Sequence, residues 1–155
     1  MTNVALGEHA KMVVLPSERG RVQQFYRDIL GCRVTTKSKG MDLIRLGTDF
    51  YIGVVYDDSA LSAADRLNSI WLELRTENPE ELKQRVLAFG INEVEFWDRE
   101  HFYFQAPGGQ VFRLVGKTED MSKWSSESFQ GTPGRCVNAC VCRGGVKICA
   151  ESRSQ

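Results

Sequence analysis

Apolar and polar positions along this chain recur at two spacings, one of two residues and one of three to four, and the two alternate in blocks. Residues 10–15, AKMVVL, are an apolar run with β-branched members and predict a strand, which Pro16-Ser17 ends. Ser17 or Glu18 then opens a helix. Within it Val22, Phe25, Tyr26 and Ile29 recur at i, i+3, i+4 and i+7, and Gly31 is placed to stop it. Strands are predicted at 33–36, 41–46 and 50–56, with turns at Ser38-Lys39-Gly40 and Gly47-Thr48-Asp49. Residues 57–68 are polar with small apolar members and read as a linker with room for one helical turn.

The order then repeats. Residues 70–75 alternate as a strand. Asn78-Pro79-Glu80-Glu81 is a helix start: Asn78 can cap, Pro79 suits the first helical position, and Glu81 can complete a capping box. Leu82, Val86 and Phe89 form the buried stripe and Gly90 stops the helix. Strands at 93–97, 101–105 and 111–116 follow. The last two make a hairpin turned at Pro107-Gly108-Gly109. Its alternation puts Phe102, Phe104, Phe112 and Leu114 on a core face, and His101, Tyr103, Gln105, Val111 and Arg113 on the opposite one.

The two helix-stop glycines lie about sixty residues apart, as do Lys11 and Trp71 on the two first strands, so the chain is an internal repeat. The expected fold is α+β. Two tandem βαβββ modules, about 8–57 and 69–117, form a cup-shaped mixed sheet with helices outside. The domain spans 1–117, and 118–155 is an irregular tail.

Composition narrows the function classes. The 42% apolar fraction is enough for a core, and twenty basic against twenty acidic side chains give zero formal charge. That balance provides no electrostatic footprint for nucleic acid or an anionic membrane. No apolar run approaches the roughly 20 residues that span a bilayer, and the N-terminus lacks an apolar signal-peptide core. A cytoplasmic protein is the expectation. Of five cysteines, Cys32 stands alone, while Cys136, Cys140, Cys142 and Cys149 crowd the tail without the paired knuckles of common zinc sites. The tail reads either as a weak zinc motif or as an extension.

The double module, with FYRDILG ending the first helix and APGGQVFRLV ending the second module, resembles the vicinal oxygen chelate superfamily. This group includes glyoxalase I, extradiol dioxygenases, fosfomycin-resistance transferases and bleomycin-binding resistance proteins. In its metal-dependent members the cup holds a divalent ion on His and Glu from the first and last strands of each module. Counting back from FYRDILG places the first position on Lys11, with His9 two residues upstream on the same strand face. Trp71 takes the corresponding place in the second module. The Gly-Asn-x-x-Glu pattern of the last strand reads Gly109-Gln110-Val111-Phe112-Arg113, which puts Arg113 in the Glu position. Along 50–54 only Tyr51 is a conceivable ligand. An indole has no lone pair suited to a metal, and a guanidinium cannot be deprotonated in a protein. A site needs about three N, O or S ligands, and only His9 and Glu73 remain nearby. No metal or other cofactor is therefore expected.

The resemblance then implies metal-independent binding of a small planar or anionic organic molecule, the mode of the resistance-type binders that sequester a drug. Its contacts would be Lys11, Trp71, Glu73, Tyr103, Gln105 and Arg113. Arg113 suits a carboxylate, phosphate or phenolate, or forms an internal salt bridge to Glu73, or does both. Lys11 faces either the ligand or the solvent at the cup rim. Trp71 and Tyr103 offer flat stacking surface, and Ile70 and Leu72 serve the core face. Trp97 reads as core. The alternative is an enzyme of the same superfamily. It would be a metal-free lyase or isomerase with His9, Glu73 or His101 as acid or base, or a divalent-metal glyoxalase- or dioxygenase-like enzyme with displaced ligands. A third possibility is an interaction module with a self-filled cup. Cys32 reads as a packed thiol. A homodimer is implied by the resemblance, because such cups are often completed by a second chain.

Overall fold

The computed structural model describes residues 5–96 and 98–122. The first module is β1 (His9–Val14), a 3-10 turn (Pro16–Glu18), α1 (Arg19–Gln24) running on into a π-helical turn (Phe25–Ile29), β2 (Arg33–Ser38), β3 (Met41–Leu46) and β4 (Phe50–Tyr56). A short α2 (Ala63–Arg66) occupies the linker. The second module is β5 (Trp71–Thr76), α3 (Pro79–Ala88), β6 (Phe102–Gln105) and β7 (Val111–Gly116). Among the described residues no helix is long and apolar enough to cross a membrane.

The repeat is visible in the pairing. The first sheet runs β1-β4-β3-β2 with β1 and β4 parallel, and the second runs β5-β7-β6 with β5 and β7 parallel. In each module the helix supplies the crossover that parallel neighbours require. β1 and β5 are edge strands and do not pair with each other, so the sheets remain separate.

One predicted strand is absent. Of the expected strand 93–97, the described residues 93–96 make only an isolated bridge, Glu93 to Phe104, with the Val94 amide donating to the Tyr103 carbonyl at 2.7 Å. The segment then leaves the ladder and folds over the sheet. Phe96 packs on Tyr103 with ring centroids 4.7 Å apart, and Asp98 is buried against β6. The loop exchanges backbone pairing for an aromatic contact and the burial of a hydrogen-bonded carboxylate. The capping box also fails to form. The Asn78 side chain caps nothing, and its amide instead donates to the Thr76 hydroxyl at 3.3 Å. Pro79 does occupy the first turn of α3. Ile70, expected in the core, is 64% exposed because it lies just outside β5.

Helix stops follow the glycines: Gly31 and Gly90 take φ of 67° and 86°, conformations costly to residues with a Cβ. The π-helical turn widens the end of the first helix, and both Phe25 and Tyr26 are fully buried there. They face the second module. Phe25 meets Phe104 at 6.0 Å and Phe89 at 5.5 Å, and Tyr26 meets Phe112 at 6.3 Å. One core therefore serves both modules, with Val14, Ile44, Ile52 and Val54 from one sheet and Phe102, Phe104, Phe112 and Leu114 from the other. The hairpin tip closes on it. Gly108, at φ 87°, would bring a Cβ to 3.1 Å from Val14 and 3.3 Å from Met12.

Asp42 fastens the first helix to its sheet. It is fully buried on the core face of β3 and accepts from Arg19 at 2.6 Å, Gln23 at 2.8 Å and the Tyr56 hydroxyl at 2.8 Å. Burial alone would raise its pKa, but these donors and Thr36 outweigh it and hold the carboxyl below its ordinary range.

Candidate functional site

Since both sheets turn their apolar faces to the shared core, the alternate side chains point away from it. These outer faces carry the residues whose chemistry could serve a ligand.

On the second sheet, Glu73, Arg113 and Tyr103 lie side by side, each the register partner of the next. A guanidinium nitrogen of Arg113 donates to Glu73 at 2.6 Å, and another lies 3.7 Å from Asp98. The same guanidinium sits 4.4 Å from the centre of the Trp71 ring, a cation–π contact. Glu73 also accepts from Arg75 at 2.7 Å. Asp98 accepts from the Tyr103 hydroxyl at 3.0 Å and faces His101 Nδ1 at 2.7 Å, while His101 Nε2 faces Glu119 at 2.8 Å. Arg75, Glu73, Arg113, Asp98, His101 and Glu119 thus form one continuous chain of opposite charges.

Its electrostatics follow from that pairing. Burial would lower the pKa of His101, but Glu119 and Asp98 outweigh it and raise it above the ordinary histidine value. Burial, with the Asp98 charge, pushes Tyr103 up to about 12, so it stays a phenol. Burial opposes ionisation of Glu73, yet hydrogen bonds from Arg75 and Arg113 hold its carboxyl below the usual range.

Sequence reasoning singled out Trp71, Glu73, Tyr103 and Arg113 together, and they do meet. Arg113 and Tyr103 are only 6% and 3% exposed, however, under the segment that carries Phe96 and Asp98, whereas Trp71 is 40% exposed. Gln105 lies at the hairpin end, where its amide donates to the Ala63 and Gly109 carbonyls and ties down the linker. His101 is at the opposite end of β6, buried between its two carboxylates. The Asp98 and Glu119 partners were missed because both lie in non-repetitive segments.

Lys11 and His9 are on the other sheet. Their face holds a hollow of about 490 Å³ lined by His9, Arg33, Thr35, Lys37, Leu43, Arg45 and Tyr51. The His9 and Tyr51 rings stack at 5.1 Å, 14° from parallel. Arg33, Lys37 and Arg45 were not singled out from sequence. Alternation was the available signal, since it sets them opposite Val34 and Ile44. Burial pushes the Cys32 thiol up to about 11, in keeping with a packed thiol. Trp97 and the four tail cysteines lie outside the described residues.

Among the described residues the donor set does not suit a divalent ion. The Trp71 indole and the Arg113 guanidinium, which lie against each other, offer no lone pair for a metal. Glu73 is engaged by two guanidinium groups. Asp98 and Glu119 approach His101 from its two opposite nitrogens and so do not converge on one point with it.

No family model and no curated protein matches the chain. Solved structures do. Fosfomycin resistance protein FosX from Mesorhizobium loti superposes with a TM-score of 0.59 at 12% identity, over 81% of this chain and all of that one. A mutant FosX from Listeria monocytogenes, complexed with Mn(II) and 1S,2S-dihydroxypropylphosphonic acid, gives 0.58 at 15% identity over 72% and 90% of the two chains. A possible glyoxalase from Bacillus cereus gives 0.56 at 15% identity over 72% and 99%. At such identities the likeness is one of architecture. The chain has the α+β fold of the glyoxalase and fosfomycin-resistance proteins, the vicinal oxygen chelate fold.

Proposed function

We propose that this protein binds a small planar or anionic organic molecule between outer sheet faces, without a divalent metal. The carrying observation is that Arg113 is locked to Glu73 and lies over the Trp71 ring; the resemblance would place metal ligands where Lys11, Trp71 and Arg113 stand. Trp71 then offers a partly exposed aromatic surface with a fixed positive charge against it. A flat, electron-rich or anionic ligand is what such a surface attracts. Lys11, exposed on the other sheet, supplies a second cation for the opposite wall.

The cup needs a second copy of the chain. Within one chain the two outer faces are turned away from a common core, so they do not enclose a ligand between them. In a homodimer, the first sheet of one protomer would face the second sheet of its partner.

The acid–base alternative has one accessible group. Glu73 and His101 are held in ion pairs, while His9 is exposed beside the hollow. The test is titration of small planar carboxylates into the full chain and its variants, with the oligomeric state measured alongside. Trp71→Ala should weaken binding about tenfold or more, and a dimer should be found. Unchanged affinity in Trp71→Ala contradicts the assignment, as does a strict monomer that binds equally well.

A further inference from the structure

The outer face of the first sheet carries Lys11, Arg33, Lys37 and Arg45. Among the described residues no carboxylate lies within salt-bridge distance of any of the four. The second sheet differs: there Arg75, Arg113 and His101 each face a carboxylate. Arg33 and Arg45 are moreover direct partners across β2 and β3. Like charges set directly opposite each other destabilise a sheet. The pair is unfavourable unless something negative lies over it.

The surroundings suit such an occupant. Arg33, Lys37 and Arg45 share the hollow with His9, Thr35 and Tyr51. Arg45 is anchored, its Nε donating to the Thr48 carbonyl at 2.7 Å, which leaves its terminal nitrogens available. Two guanidinium forks and an ammonium can each donate in parallel to the oxygens of one anionic group. The stacked His9 and Tyr51 rings form a flat wall beside them.

We infer that this hollow is a subsite for a multiply charged oxyanion group, phosphoryl or polycarboxylate, carried by the ligand. The inference rests on the cup-binding function and deepens it. It names the charged end of the ligand and places it against the first sheet, with the planar end left for Trp71. A simple solvated cationic surface would attract every anion weakly and in proportion to charge alone. A subsite adds dependence on particular forks.

The test is calorimetric titration of the full chain in low-salt Tris with pyrophosphate, citrate and acetate, and with benzamide as a planar uncharged probe. Pyrophosphate or citrate should bind at least tenfold more tightly than acetate, and whichever of the two is preferred identifies the group as phosphoryl or carboxylate. Arg33→Gln and Arg45→Gln should each weaken that binding about tenfold, and Lys37→Gln should weaken it less. Arg27→Gln, on the first helix, should leave it unchanged. Thermal melts of the variants verify folding. Equal affinity for acetate and both multiply charged anions overturns the subsite, and so does indifference to both arginine substitutions. If benzamide still binds and Trp71→Ala abolishes it, only the subsite has failed. If no probe binds, the cup-binding function fails as well.

Discussion

Arg113 and Glu73 face each other across neighbouring parallel strands, guanidinium to carboxylate at 2.6 Å. Each group is thereby committed to an ion pair inside the sheet. Removing one partner of a mostly buried pair leaves the other charge uncompensated. Arg113→Ala should therefore cost about 3 kcal/mol in urea unfolding. A double-mutant cycle with Glu73→Ala should return a coupling of about 1 kcal/mol or more. Additive single effects would show that the contact carries no stability.

His101 makes stability depend on pH. Each ring nitrogen faces a carboxylate, and carboxylates only accept, so both contacts are satisfied only in the protonated ring. Asp98 and Glu119 are the direct partners, and Tyr103 and Arg113 approach from Asp98. Glu80, Lys83 and Glu100 line the same recess. The pKa of His101 is raised on folding. Its contribution is therefore complete below the unfolded value near 6.5 and is lost as pH rises through the folded value. The wild type should lose Tm between pH 6 and pH 9 more steeply than His101→Gln. Parallel pH profiles for the two would remove His101 from the account.

Asp42 should behave in the opposite sense. Its pKa is depressed on folding, so its contribution is present above the unfolded value and lost as pH falls through the folded one. Asp42→Asn keeps the shape but weakens the bonds from Arg19, Gln23 and Tyr56. It should cost about 2 kcal/mol, a fall in Tm of roughly 10 °C. The loss should shrink at low pH, where wild-type Asp42 is also neutralised.

Two glycines should respond oppositely to alanine. Gly20 lies in α1 with open space around its Cβ position, so Gly20→Ala should stabilise by about 0.5–1 kcal/mol. Gly108 combines φ of 87° with a Cβ position 3.1 Å from Val14. Gly108→Ala should destabilise by about 1–3 kcal/mol. Chemical denaturation of both variants reads the contrast.

The repeat, the helix faces and the 41–46 and 50–56 strands were legible because each rests on local periodicity. So was the two-faced hairpin, since alternation alone decides it. That the described residues 93–96 form no strand was not legible. That segment alternates like a strand, and only the packing of Phe96 on Tyr103 and the burial of Asp98 against β6 take it out of the ladder. The two carboxylates beside His101 escaped as well, because Asp98 belongs to that same loop and Glu119 arrives from beyond the last strand. The way the modules share one core was equally hidden: Phe25 reads as an ordinary helix-stripe residue until it meets Phe104.

The central claim is ligand binding without a metal. Its most direct measurement is a titration of the full chain, dialysed against EDTA, with a planar carboxylate such as indole-3-carboxylate, repeated after adding Mn(II) or Zn(II). Saturable binding in EDTA, unchanged by added metal and weakened by Trp71→Ala, is the predicted result. Binding that appears only when metal is restored would contradict it.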